Sequence, residues 1–195
     1  MKKILVLSML AVAGASQAVL VCGAGGAIPD NAPSSPFTST ITISDGGTLN
    51  SITLVGLSHT WAGDLIATVS GGVGSLMNRV GATVTGNVGD SSDFGGDYTF
   101  SNSGGDLWAA AAAAGGTAII AGGNYRATGA NSSAPLTLPG TIGPGTYTLT
   151  ISDNAGLDTG SLNGWCIDYT PVPEPATMAV LGAGALALIR RRRSK

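Results

Sequence analysis

Along the chain, polar and apolar residues alternate in short runs, and each run is stopped by glycine, asparagine or aspartate. The runs are Phe37 to Ile43 (FTSTITI), Thr48 to Leu57 (TLNSITLVGL), Asp64 to Val69 (DLIATV), Thr146 to Ile151 (TYTLTI) and Leu162 to Tyr169 (LNGWCIDY). A period of two puts every second side chain on one face, so each run predicts a half-buried strand. Several such strands between turn residues predict an all-β, antiparallel sandwich. Only Leu107 to Ala114 (LWAAAAAA) predicts a helix, about two turns long before Gly115 and Gly116 stop it. From Gly71 to Gly105 the chain turns polar and glycine-rich, which predicts a solvated loop.

Both ends depart from this alternation. Residues 1–18 (MKKILVLSMLAVAGASQA) carry two lysines, an apolar stretch and Ser16-Gln17-Ala18, which fits a signal peptide cleaved so that the mature chain starts near Val19. A lipoprotein reading through Cys22 is poorer, because valine precedes that cysteine where a small residue is wanted. The last 25 residues (PVPEPATMAVLGAGALALIRRRRSK) hold a Pro-Glu-Pro triplet, an apolar run and an arginine cluster. One domain, residues 19–170, lies between these ends and is long enough to bury its own core.

Composition agrees with short strands and tight turns: 31 glycines, and only 10% charged residues. Charge changes the picture more. The basic residues sit at the two ends except Arg79 and Arg126, which face all 11 acidic residues, from Asp30 to Glu174, for a net −9 in the middle of the chain. Such a body repels nucleic acid but suits divalent cations. The chain has two cysteines, Cys22 and Cys166, and in an exported protein an even pair predicts one disulfide, tying the start of the mature chain to its last strand. Closing so long a loop adds on the order of 4 kcal/mol in the chain-entropy picture.

Candidate chemistry is thin. Asp90, Asp93 and Asp97, with Asp106 beside them, could offer carboxylates to a calcium ion in the predicted loop, although their spacing is not that of an EF-hand. Asp158-Thr159-Gly160-Ser161 is the string around an aspartic-protease carboxylate, yet such enzymes need two copies and this chain has one, in what reads as a polar turn. His59 is the only histidine; with no Gly-x-Ser-x-Gly elbow and no donors spaced for zinc, it is expected to be structural. Of Trp61, Trp108 and Trp165, the last is expected in the core beside Cys166, leaving Trp61 and Trp108 as candidates for stacking on sugar rings.

His59-Thr60 with Gly63-Asp64-Leu65, the strand Gly145 to Leu149, Asp153 after it, and Asp158-Thr159-Gly160 leading into Leu162-Asn163-Gly164-Trp165 occur in one order across residues 37–169. In that order they resemble the P domain, or P/Homo B domain, that follows the catalytic domain of subtilisin-like proprotein convertases. The resemblance implies a jelly-roll β-sandwich of about eight strands. It also implies a calcium site in some members, for which Asp45, Asp64, Asp153 and Asp158 are the candidates here. No protease domain precedes the body in this sequence, so a role in supporting one is not expected to carry over.

The tail resembles a PEP-CTERM sorting signal, in which Pro173, Glu174 and Pro175 are recognised by an exosortase. Prolines at 171, 173 and 175 keep the stretch extended and accessible. Residues 176–189 would form a single transmembrane helix of about 21 Å, short of the roughly 30 Å hydrocarbon layer, so the arginine stems must snorkel or the membrane thin. Arg190, Arg191, Arg192 and Arg193 would stay in the cytoplasm, leaving the body outside the inner membrane. The combined expectation is an exported, non-enzymatic surface or matrix protein, cut by an exosortase, with a structural or binding role and exopolysaccharide as a partner. The rival expectations are a carbohydrate-binding module and a protease accessory factor or secreted hydrolase.

Overall fold

The computed structural model describes residues 16–172, together with Gly182, Gly184, Leu186, Ile189 and Arg190 in the tail. Residues Ala18–Val172 form one compact unit. Thirteen strands run through it: β1 (Val19–Ile28), β2 (Phe37–Ile43), β3 (Gly47–His59), β4 (Leu65–Val69), β5 (Gly74–Asn78), β6 (Asp93–Gly105), β7 (Ile119–Ile120), β8 (Gly123–Tyr125), β9 (Ala127–Thr128), β10 (Pro135–Leu136), β11 (Thr141–Ile142), β12 (Gly145–Asp153) and β13 (Gly160–Pro171). A single helix, α1 (Leu107–Ala114), follows β6, and one 3-10 turn (Ala62–Asp64) follows β3.

The protein is therefore mostly β, in several sheets, as an all-β sandwich requires. One sheet has the order β1-β13-β3-β6-β7, with β8 added to β6 and β11 to β3; a second has the order β2-β12-β4-β5; β9 and β10 form a small third. Pairing among the long strands is nested: β1 with β13, β2 with β12, β3 with β6 and β4 with β5. Alternation explains the inner faces. In β12, Tyr147, Leu149, Ile151 and Asp153 are buried and the residues between them are not. One hydrophobic core joins Ile52, Leu54, Trp165 and Ile167 of the first sheet to Ile41, Ile43, Leu65, Leu149 and Ile151 of the second.

Two elements differ from the sequence expectation. The segment predicted as a solvated loop from Gly71 to Gly105 holds β5 and the 13-residue β6. Phe94, Tyr98 and Phe100 are separated by even numbers of residues, so all three reach the core, with Phe94 edge-on to Tyr98 at 4.8 Å between ring centres. The other is β1, whose VLVCGAGGAI has little strand propensity. Its glycines make room for rings: a Cβ at Gly23 would strike the Trp165 indole, and one at Gly26 would come within 2.8 Å of the Phe37 ring. Packing against those aromatics and pairing with β13 make the segment a strand.

Cys22 and Cys166 stand directly opposite each other in the β1–β13 ladder, 4.1 Å apart at Cα, and are joined as the sequence predicts. The bridge spans 144 positions. Val172 closes the unit, its N–H donating to the Gly46 carbonyl at 3.1 Å.

Candidate functional site

Polar side chains with chemistry meet where β3 ends and the β12–β13 connection passes. His59, the last residue of β3, is 1% exposed. Its Nε2 lies 3.1 Å from Asp153 Oδ2, and Asp153, at the end of β12, is fully buried. The imidazole Nδ1 faces the Trp61 backbone, 3.1 Å from its N–H and 2.9 Å from its carbonyl. Asp153 Oδ1 accepts from the Ala155 N–H at 3.1 Å. Every polar atom of this pair thus has a partner, which a buried ionisable pair needs to persist. A Cβ at Gly160 would strike the His59 ring, so the strand facing it requires glycine there.

Asp64 ends the 3-10 turn, directly before β4, and is 2% exposed. Arg79 reaches it from the far side of β5, with Nη2 3.5 Å from Oδ1, while its Nε donates to the Gly63 carbonyl at 2.9 Å. Oδ1 has no hydrogen bond besides that ion pair. Burial, then the nearby charges of Asp153 and Asp158, push the Asp64 carboxyl up from its ordinary 3.8 to about 6, against the pull of Arg79 and His59. Asp158 closes the outer side: it accepts from Thr60 Oγ1 at 2.8 Å, and the same Thr60 oxygen accepts from the Thr159 N–H at 3.2 Å. The Asp158-Thr159-Gly160 string is in this way a turn pinned to β3.

The sequence candidates divide accordingly. Asp64, Asp153 and Asp158 come together around His59, and Arg79 is the member that sequence reading missed. Its signal was available: with Arg79 and Arg126 the only cations in the body, a buried aspartate had few possible counter-charges. Asp45 lies in the turn at the opposite end of β3, exposed, accepting from Ser44 Oγ at 3.0 Å. Asp93 and Asp97 are not loop residues. They stand on β6 four positions apart, which is about 13 Å along a strand, too far for two carboxylates to ligate one calcium ion.

Asp93 Oδ1 is buried without a hydrogen-bond partner, while Asp97, Asp90 and Asp106 have local structural tasks. Asp97 Oδ1 accepts from the Gly56 N–H at 2.7 Å, where a bulge in β3 with φ +57° takes that amide out of the ladder. Asp90 Oδ1 accepts from the Ser92 N–H at 2.8 Å. Asp106 caps α1 through the Trp108 and Ala109 N–H groups. Among the described residues, no group of three His, Cys, Asp or Glu side chains could hold a metal ion.

Two of the three tryptophans donate through the indole N–H, while that of Trp108 is buried without a partner. Trp165 is fully buried and donates to Ser39 Oγ at 3.0 Å. Half-buried Trp61 donates to the Val88 carbonyl at 2.8 Å, and half-buried Trp108 packs against the core.

Pro173, Glu174 and Pro175 and the arginines Arg191, Arg192 and Arg193 lie outside the described residues, as does most of the predicted transmembrane stretch 176–189. Gly182, Gly184, Leu186, Ile189 and Arg190 are helical, and among the described residues no helix is long and apolar enough to cross a membrane. Residues 171–193 match the family model of the PEP-CTERM protein-sorting motif. The motif indicates an exported protein targeted to an exosortase, with membrane transit before surface display. The P/Homo B-like body has no family match. No curated protein and no solved structure matches the chain.

Proposed function

We propose that the chain is a non-catalytic structural component of the cell surface or its exopolysaccharide matrix, released to that place when an exosortase cuts near Pro173-Glu174-Pro175. The observation that carries this reading is the sorting motif at residues 171–193, which begins at the last two residues of a compact unit ending at Val172. A body that completes its own sheets, core and disulfide before the cut is suited to surviving outside the cell. On this reading residues 176–189 hold the chain in the inner membrane only until processing, with Arg190 to Arg193 on the cytoplasmic side.

Support for a non-catalytic role comes from His59. Both its ring nitrogens are engaged and its ring is closed from solvent, so no substrate proton lies within its reach. Nested pairing of the long strands, first with last through to fourth with fifth, is the order of a hairpin rolled into two facing sheets. That order supports reading the body as a jelly roll of the P-domain type.

The test is the intact mass of protein recovered from the host's outer surface and medium, before and after reduction. A species starting near Val19 and ending between Pro173 and Ala176, about two mass units heavier once reduced, is the expected result. A chain that keeps its apolar tail and stays with the inner membrane would overturn the matrix role.

A further inference from the structure

Aspartate or asparagine is followed by glycine at two places in the chain, Asp45-Gly46 and Asn163-Gly164. A glycine in second place leaves its peptide nitrogen unhindered, so that nitrogen can attack the preceding side-chain carbonyl carbon and close a five-membered imide. In an unstructured chain the asparagine pair reacts faster, because an amide releases ammonia more readily than a carboxyl group releases water. The fold reverses that order. Gly164 lies inside β13 with a strand on each side, opposite Ala24 of β1 and Val55 of β3. Ring closure turns the main chain of the first residue out of the extended conformation, and two ladders hold Asn163 against that turn. Asp45-Gly46, by contrast, is in the turn between β2 and β3, with Asp45 exposed. Among the described residues no hydrogen bond engages the Gly46 N–H, so the attacking nitrogen is free. The Ser44 hydroxyl donates to Asp45 Oδ2 at 3.0 Å, favouring that oxygen as the one to leave.

We propose that Asp45-Gly46 is a site of spontaneous isomerisation, which loosens the end of β13. The Gly46 nitrogen bonds to Asp45 Cγ, and Oδ2 departs as water with the carboxyl proton and the Gly46 amide proton. Water then adds to either carbonyl of the imide. Addition at Cγ restores aspartate; addition at the main-chain carbonyl leaves isoaspartate, with no change in mass and no oxidant or cofactor. Isoaspartate routes the main chain through Cγ, one carbon longer, directly before Gly46. That glycine's carbonyl accepts from the Val172 N–H at 3.1 Å, and Gly47 is opposite Pro171. These contacts make the last rung between β13 and β3, at the residues where the sorting motif begins. Lengthening the turn displaces the Gly46 carbonyl and opens that rung.

The experiment is peptide mapping with electron-transfer fragmentation, which tells isoaspartate from aspartate, on the exported chain kept for weeks at neutral pH, both folded and in denaturant. In the folded protein isoaspartate is expected to accumulate at Asp45 while Asn163 keeps its amide. In denaturant the order is expected to invert, with Asn163 gaining the mass that marks deamidation before Asp45 changes. Asp45→Asn, at an exposed position that leaves the fold intact, is expected to react several-fold faster than wild type in the same turn. Hydrogen exchange at the Val172 amide is expected to rise several-fold in the isoaspartate-bearing fraction. It should stay constant in aged Asp45→Glu, whose longer side chain would have to close a six-membered ring. A folded protein in which Asp45 remains aspartate, in which Asn163 reacts as fast as Asp45, or in which isoaspartate forms without faster exchange at Val172 would overturn the proposal.

Discussion

The flank made by β1 and β2 and the flank made by β5 and β6 meet the same problem, an unpaired sheet edge, by opposite means. On the β5–β6 side the chain covers itself: β7 and β8 add to β6, and Ser75 of β5 donates to the Thr128 carbonyl of β9 at 2.7 Å. That cover is assembled from two- and three-residue strands and α1, with Leu107 and Ala111 turned into the core. On the β1–β2 side the two edge strands pack on each other, with Gly23 and Gly26 of β1 against Ser39 and Phe37 of β2, and the Cys22–Cys166 bridge ties β1 to β13. One flank is covered by added short strands, the other is closed by its own two edge strands and a disulfide.

Four variants break or sharpen that contrast, beginning with the largest effect. Replacing Cys22 and Cys166 by serine removes the brace of the β1–β2 flank and should cost about 4 kcal/mol, lowering the melting temperature by about 10 °C in thermal unfolding followed by circular dichroism. A loss below about 1 kcal/mol would mean that β13 and the aromatic contacts hold β1 unaided. On the covered flank, Leu107→Ala empties a fully buried site under α1 and should cost about 3 kcal/mol by denaturant unfolding. If the cover is a surface appendage and not part of the core, that figure will be far smaller.

Asp106→Ala tests the same cover more gently. Two helix N–H groups lose their acceptor, for an expected cost of about 1 kcal/mol, and hydrogen exchange should rise across Leu107–Ala114 while β1 is unchanged.

The smallest effect is a slope and not a loss. Asp64 titrates at about 6 in the folded protein against 3.8 ordinarily, so between these values the folded state holds the extra proton. Its contribution is therefore fully favourable below about pH 4 and is lost as pH rises through about 6. Asp64→Asn should flatten the difference in stability across that window. A wild-type profile with the opposite slope, unchanged in the variant, would place Asp64 in a more solvated setting than the one described.

Much of the strand pattern was legible. β2 and α1 run over the predicted residues, Phe37–Ile43 and Leu107–Ala114, because alternation and an alanine run bounded by glycines are local signals. β6 was missed for a local reason as well: Gly95, Gly96 and Asp97 depress strand propensity, and only the even spacing of Phe94, Tyr98 and Phe100 marks it. At the candidate site, His59 and the aspartates could be named one by one, but their grouping could not. His59 and Asp153 are 94 positions apart and meet only because β12 and the end of β3 converge. Arg79 meets Asp64 for the same kind of reason, by the return of the β4–β5 hairpin.

What the sequence determined by itself is what short-range chemistry can encode: alternation for strands, an even cysteine pair in an exported chain, and a Pro-Glu-Pro tail with its apolar run and arginines. Each of these acts within a few residues or through the compartment the chain enters. What only the tertiary structure decided is which strand ends where in the two sheets, and hence which strands flank each edge and which carboxylate is buried beside which base. Those outcomes depend on pairings between the first and last strands of the body. No local propensity specifies a contact across so much chain; it follows from burying one shared core between two sheets.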